Sequence, residues 1–129
     1  PALVDFTNPV GIDPEDAAGK DDVLSVNELR FPLDERVLIR LTSKDVIHSF
    51  FIPEFRVKQD AVPGLAIPVW FTPTRAGDYE ITCAQLCGVG HAIMRADVKV
   101  SPRAELDEWL KSKKTATLAA APKAAVEQW

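Results

Sequence analysis

The sequence predicts an all-β fold, a Greek-key β-sandwich or barrel followed by one short C-terminal helix. Three observations predict it. Ten prolines and six glycines in 129 residues punctuate the chain at close intervals, as tight turns between short strands require. Several segments between them alternate apolar and polar residues with a period of two. Only one stretch, after Ser101, spaces its apolar residues for a helix. A hydrophobic fraction of 47% over this length suits a single core.

Each element follows from its own residues. Residues 1–22 carry Asn8-Pro9, Gly11, Asp13-Pro14 and Gly19 among scattered charges, and read as an irregular segment. The folded core is expected over 23–101. Val37, Ile39 and Leu41 alternate with Leu38 and Arg40, which predicts a strand buried mainly on one face. Residues 47–52 form an apolar run that includes His48, and 56–61 a short alternating strand. Pro63-Gly64 predicts a type II turn, since Pro presets the first central position and Gly accepts positive φ at the second. Two more strands are expected over 66–71 and 78–82, separated by Pro73-Thr74-Arg75-Ala76-Gly77. Met94, Ala96, Val98 and Val100 alternate with Arg95, Asp97 and Lys99, the pattern of a half-exposed strand. Ser101 as N-cap and Pro102 at the first helical position predict a helix over 102–114. Leu106, Trp109 and Leu110 give it one apolar face. Residues 115–129 are Ala-rich with a lone Pro122 and read as a tail or linker.

The chemistry is concentrated in a few scarce residues. The chain has two cysteines, two histidines and one methionine. Four of the five fall in Cys83-Ala84-Gln85-Leu86-Cys87-Gly88-Val89-Gly90-His91-Ala92-Ile93-Met94, and the fifth is His48. Thiolate, imidazole and thioether are soft ligands that favour copper. Cys87, His91, Met94 and His48 would already supply a mononuclear blue-copper set. Cys83 then remains, and two thiolates on a short loop can bridge two ions instead. Each copper would take both sulfurs, one imidazole and one weak axial ligand. Met94 serves one of them, and a backbone carbonyl between the cysteines, that of Gln85, serves the other. A disulfide across Cys-x-x-x-Cys and a zinc site of two Cys and two His are rival readings. The zinc site leaves Met94 unused.

The motif resembles the dinuclear copper (CuA) site of subunit II of haem–copper cytochrome c oxidases. The resemblance extends over about residues 23–101. It includes Asn27-Glu28-Leu29, Thr42-Ser43-Lys44-Asp45-Val46-Ile47-His48-Ser49-Phe50, Pro53, the run Val57-Lys58-Gln59-Asp60-Ala61-Val62-Pro63-Gly64, and Pro73, Gly77 and Tyr79. It implies a cupredoxin-like fold whose ligand loop joins the last two strands, with His48 on a neighbouring strand end. It also implies that Cys83 and Cys87 bridge both coppers, that His48 and Met94 complete one, and that His91 and the Gln85 carbonyl complete the other. The family most often has Glu at the position of Gln85, where the carboxylate helps bind magnesium at the junction with subunit I. Gln keeps the carbonyl and lacks the charge, so the resemblance does not carry the magnesium over.

The function implied is electron transfer from a c-type cytochrome or similar carrier to haem in subunit I. The location implied is the outer, periplasmic face of an energy-transducing membrane. Family subunits begin with membrane helices, and no run here is long and apolar enough for one. Nor does a signal peptide follow Pro1, so the expectation is a domain separated from its N-terminal anchor. The family's upstream aromatic cluster has no counterpart before Phe31, and Trp70 is expected as a core strand residue rather than its substitute. The copper domain of nitrous oxide reductase is an alternative, although Ala84-Gln85-Leu86 lacks that family's aromatic residues between the cysteines. A copper-delivery module is another, although such proteins are Met-rich.

The formal net charge is −4. Asp5, Asp13, Glu15, Asp16, Asp21, Asp22, Glu28, Asp34 and Glu35 face only Lys20 and Arg30 in the first 35 residues. That balance argues against nucleic acid, whose phosphates need Lys and Arg. It suits the steering of a basic partner and equally a solvated charged loop.

Overall fold

The computed structural model describes residues 16–19 and 21–117. Seven strands lie within one compact unit, Val26–Leu106: β1 (Glu28–Pro32), β2 (Val37–Leu41), β3 (His48–Ile52), β4 (Val57–Ala61), β5 (Ile67–Phe71), β6 (Gly77–Cys83) and β7 (Arg95–Ser101). A helix, α1 (Arg103–Thr117), follows. Five strands form one sheet in the order β1-β7-β6-β3-β4, and β2 pairs with β5 in a second.

The alternation visible in the sequence builds the core between the sheets. Phe31, Ile52, Val98 and Val100 of the larger sheet are buried, and Val37, Ile39 and Phe71 of the smaller sheet pack against them. Their neighbours point outward. Leu38 pairs with Trp70 across the smaller sheet, and both are exposed, at 63% and 59%. Trp70 is therefore not a core residue. Val69 takes the inward position of β5, and the pleat sends the next side chain to the other face.

The turn at Pro63-Gly64 forms as expected. Gly64 has φ +79°, and the Leu65 amide donates to the Val62 carbonyl at 3.1 Å. Two elements differ from the expectations. β1 was not expected as a separate strand. It lies at the sheet edge and runs parallel to β7, Phe31 opposite Val100, and a strand-terminal Pro32 is tolerated there. Ser101 does not cap α1. It ends β7, its hydroxyl is buried without a hydrogen-bond partner among the described residues, and its carbonyl accepts from the Leu33 amide at 2.9 Å. The Pro102 carbonyl instead accepts from the Glu105 and Leu106 amides. The helix runs to Thr117, past the expected boundary at 114.

The described residues outside Val26–Leu106 fall in a second unit. It holds a short 3-10 turn, Ala17–Gly19, opened by a bond from the Ala18 amide to Asp16 Oδ1. In the later part of α1, Lys113 Nζ sits 5.5 Å from the centre of the Trp109 ring. No helix among the described residues is long and apolar enough to cross a membrane. The expected tail, 115–129, lies mostly outside the described residues, as does most of 1–22.

Candidate metal centre

Strand register brings the scarce residues to one end of the sandwich. β3 and β6 are antiparallel neighbours with Phe50 opposite Cys83. His48, Phe50 and Ile52 share one face of β3, and Tyr79, Ile81 and Cys83 share one face of β6, because side chains alternate. Those faces pack on the core, so His48 and Cys83 point inward at the same end. The loop from Cys83 to Met94 links β6 to β7. Its ends are joined by a hydrogen bond from the Cys83 amide to the Met94 carbonyl, 3.1 Å. A 3-10 turn, His91–Ile93, ends the loop, and Gly88 enters it at φ +141°, a conformation closed to most side chains.

The donor atoms converge. Cys83 Sγ and Cys87 Sγ are 3.7 Å apart, far beyond a disulfide bond, and both thiols are free. A ring nitrogen of His48 lies within 4.8 Å of both sulfurs. His91 Nδ1 is 3.6 Å from Cys87 Sγ, and Met94 Sδ is 4.0 Å from it. The Gln85 carbonyl oxygen is 3.2 Å from Cys83 Sγ, while the Gln85 residue as a whole is exposed. All six residues singled out in the sequence thus meet at one place.

One further residue belongs to the site and was quoted in the motif without a role. Asp45 Oδ1 lies 2.7 Å from His48 Nε2. A signal was present, a carboxylate three residues before a histidine on a Ser-x-Asp turn, but it carries no meaning until the fold shows where the imidazole points.

The site's electrostatics follow from these contacts. Hydrogen bonding to His48 is the main cause holding the Asp45 carboxyl down at about 2. The same bond raises His48 above its ordinary value, against the opposing effect of burial. Burial pushes the Cys83 thiol up, but backbone hydrogen bonds at Ser49 and Gln85 and the His91 and His48 imidazoles outweigh it and bring it to about 6. Cys87 moves the other way, raised by burial and by its neighbour Cys83. Two sulfurs this close do not both ionise freely without a cation between them.

That arrangement fits copper. The donors are soft sulfur and imidazole. His48 Nδ1 is buried and has no hydrogen-bond partner among the described residues, which leaves its lone pair for a metal. Around the donors, Leu86, Val89 and Ile93 of the loop are exposed at 81%, 108% and 75%.

Residues 12–101 match the family model described as cytochrome c oxidase subunit II, periplasmic domain. The alternative cytochrome c oxidase subunit 2 of Bradyrhizobium diazoefficiens is 42% identical over 109 residues, covering 84% of this chain and 39% of that protein. Among solved structures, the periplasmic domain of subunit II of cytochrome oxidase of Bradyrhizobium japonicum superposes with a TM-score of 0.68 at 34% identity, over 71% of this chain and 67% of that one. A mixed-disulfide intermediate between a thioredoxin-like protein and subunit II of cytochrome c oxidase gives 0.62 at 32% identity, over 70% and 63%. The chain spans about two fifths of the length of the first of these relatives.

Proposed function

Since the chain belongs to the family of periplasmic domains of cytochrome c oxidase subunit II, with the cupredoxin-like fold of that family, we propose that it is the electron-accepting domain of a haem–copper oxidase and holds a dinuclear copper centre. When bound, the copper pair takes up and releases one electron at a time. Cys83 and Cys87 would hold both ions through their thiolates, His48 and Met94 one of them, and His91 and the Gln85 carbonyl the other. A c-type cytochrome is the proposed donor, and haem in subunit I the proposed acceptor. An extracytoplasmic location follows from the family. Membrane anchoring through a segment outside this sequence belongs to the proposal.

The observation that carries this reading is the pair of unbonded sulfurs 3.7 Å apart, flanked by a buried imidazole nitrogen with no hydrogen-bond partner among the described residues. The protein's own residues would keep the cost of electron transfer low. Strands β6 and β7 fix the loop ends, and β3 fixes His48, so the donors have little freedom to rearrange. Gln85 presents an amide rather than a carboxylate, a poor ligand for a hard divalent ion, so no magnesium is assigned to it. The nitrous oxide reductase alternative is set aside, because the matched relatives are oxidase subunits.

Copper loading tests the proposal. One electron shared by two copper nuclei gives a seven-line spin-resonance pattern and a purple protein. A four-line pattern with one copper per chain would refute the dinuclear assignment. The relative caught in a mixed disulfide with a thioredoxin-like protein favours one addition. We propose that an oxidised Cys83–Cys87 pair must be reduced by thiol exchange with a dithiol protein before copper enters. A domain that loads copper equally well when oxidised would contradict it.

A further inference from the structure

We infer that Asp45 is a positioning residue that fixes which nitrogen His48 offers to the metal and makes the two imidazoles of the site unequal donors. The inference rests on the copper reading for the ligand role of His48. Its first half, the position of the ring proton, is a property of the metal-free protein.

A carboxylate only accepts hydrogen bonds, so a contact of 2.7 Å to Nε2 places the proton of the neutral ring on Nε2. Nδ1 is then a bare lone pair, and it is the atom buried without a hydrogen-bond partner among the described residues. Asp45 is itself held in place. The single proton of the Ser43 hydroxyl has two acceptors, Asp45 Oδ1 at 3.2 Å and the Val46 carbonyl. The Asp45 amide donates to Ser43 Oγ at 3.4 Å, and Ser43 forms a bridge to Pro63. The carboxylate therefore stands on a turn tied to the neighbouring β4–β5 connection, not on a free side chain.

His91 has no such support. Its Nδ1 faces Cys87, and among the described residues no carboxylate bonds its other nitrogen. A carboxylate behind a ligating imidazole orients the ring and makes it the stronger donor. His48 should thus bind more tightly than His91 and favour the more highly charged, oxidised metal. Asp45 can do this as an ion at no cost, because its side chain is 68% exposed.

The test uses Asp45→Ala and Asp45→Asn. In the metal-free domain with neutral imidazoles, nitrogen NMR reads the tautomers. The unaltered protein and Asp45→Asn, whose amide oxygen still accepts, should show His48 protonated at Nε2. Asp45→Ala should show a mixture, with His91 unchanged in all three. With copper, Asp45→Ala should lose about 10–100-fold in affinity. Asp45→Asn should lose less, and both should raise the reduction potential because both lose the charge. Circular dichroism confirms folding, which an exposed side chain does not control. If Asp45→Ala keeps the Nε2 tautomer, or matches the unaltered protein in affinity and potential, the inference is overturned. The seven-line spectrum of the unaltered domain is read separately. Its absence overturns the copper reading, while the tautomers still decide the role of Asp45.

Discussion

The two ends of the β-sandwich are held together by different forces. At one end, Phe31, Phe55, Phe71 and Tyr79 meet edge to face, with ring centres 5.1 Å (Phe31–Phe71), 5.4 Å (Phe55–Phe71) and 4.9 Å (Phe55–Tyr79) apart. The Tyr79 hydroxyl donates to the Arg75 carbonyl at 2.8 Å. At the other end, the ligand loop leaves Leu86, Val89 and Ile93 in solvent and is fixed by short-range backbone bonds, such as His91 amide to Gly88 carbonyl and Ile93 amide to Gly90 carbonyl. The aromatic end is stabilised by apolar burial. The ligand end gains little from burial, so its order depends on the sheet beneath it and on the metal. Folding and metal binding should therefore respond to different substitutions.

The largest expected effect is at the ligand end. Cys83→Ser or Cys87→Ser should abolish the proposed dinuclear centre, because a hydroxyl is a hard, weakly acidic group that does not bridge soft ions. The metal-free protein should keep its unfolding midpoint. Metal analysis that still finds two coppers with an unchanged spectrum would break the comparison.

Phe71→Ala addresses the aromatic end. It removes two edge-to-face partners and should destabilise the metal-free domain by about 2–3 kcal/mol, below the range for a fully buried phenylalanine because Phe71 is only half-buried. Urea denaturation measures the loss. Copper bound by the folded fraction should give the parent spectrum, and a changed spectrum would show that the two ends are coupled through the core.

A smaller change is expected from Met94→Leu. On the proposed reading, the thioether 4.0 Å from Cys87 Sγ would be a weak donor. Its loss should leave both coppers bound and shift the reduction potential upward, since the oxidised state loses more from a missing donor. Voltammetry reads the shift, and complete loss of copper would mean that Met94 holds the metal rather than tunes it. The smallest effect belongs to Gln85→Glu. Its backbone carbonyl faces the site while the residue is exposed, so the visible spectrum of the domain should stay nearly unchanged. A large spectral shift would mean that the side chain reaches the copper.

The comparison also explains what the sequence revealed. The ligand end was legible because Cys, His and Met are scarce here and their spacing is dictated by one loop. Strands β2, β4 and β7 were legible because they alternate, and β3, β5 and β6 because apolar residues sit between turn signals. β1 was not, although Glu28 and Arg30 alternate with Leu29 and Phe31, since the run is short, ends at Pro32, and its partner β7 is far away in sequence. Trp70 misled because the outer face of the smaller sheet also carries apolar residues, Leu38 and Pro68, so composition did not distinguish inside from outside. Ser101 misled because a local capping preference lost to strand pairing with β1. Asp45 was visible but mute, because a hydrogen bond across a turn depends on where a ring points.

The bond between the Cys83 amide and the Met94 carbonyl has an evolutionary consequence. A loop whose two ends are already adjacent in a sheet pays little further closure entropy when its length or contents change. Insertions and exchanges between Cys83 and Met94 should be tolerated by the strands around them. On the proposed reading, the ligand required from outside the loop is a histidine two residues before the position that faces the first cysteine, as His48 stands before Phe50. A sandwich that meets this condition could acquire a new metal chemistry by replacing a single connection, with its core left intact.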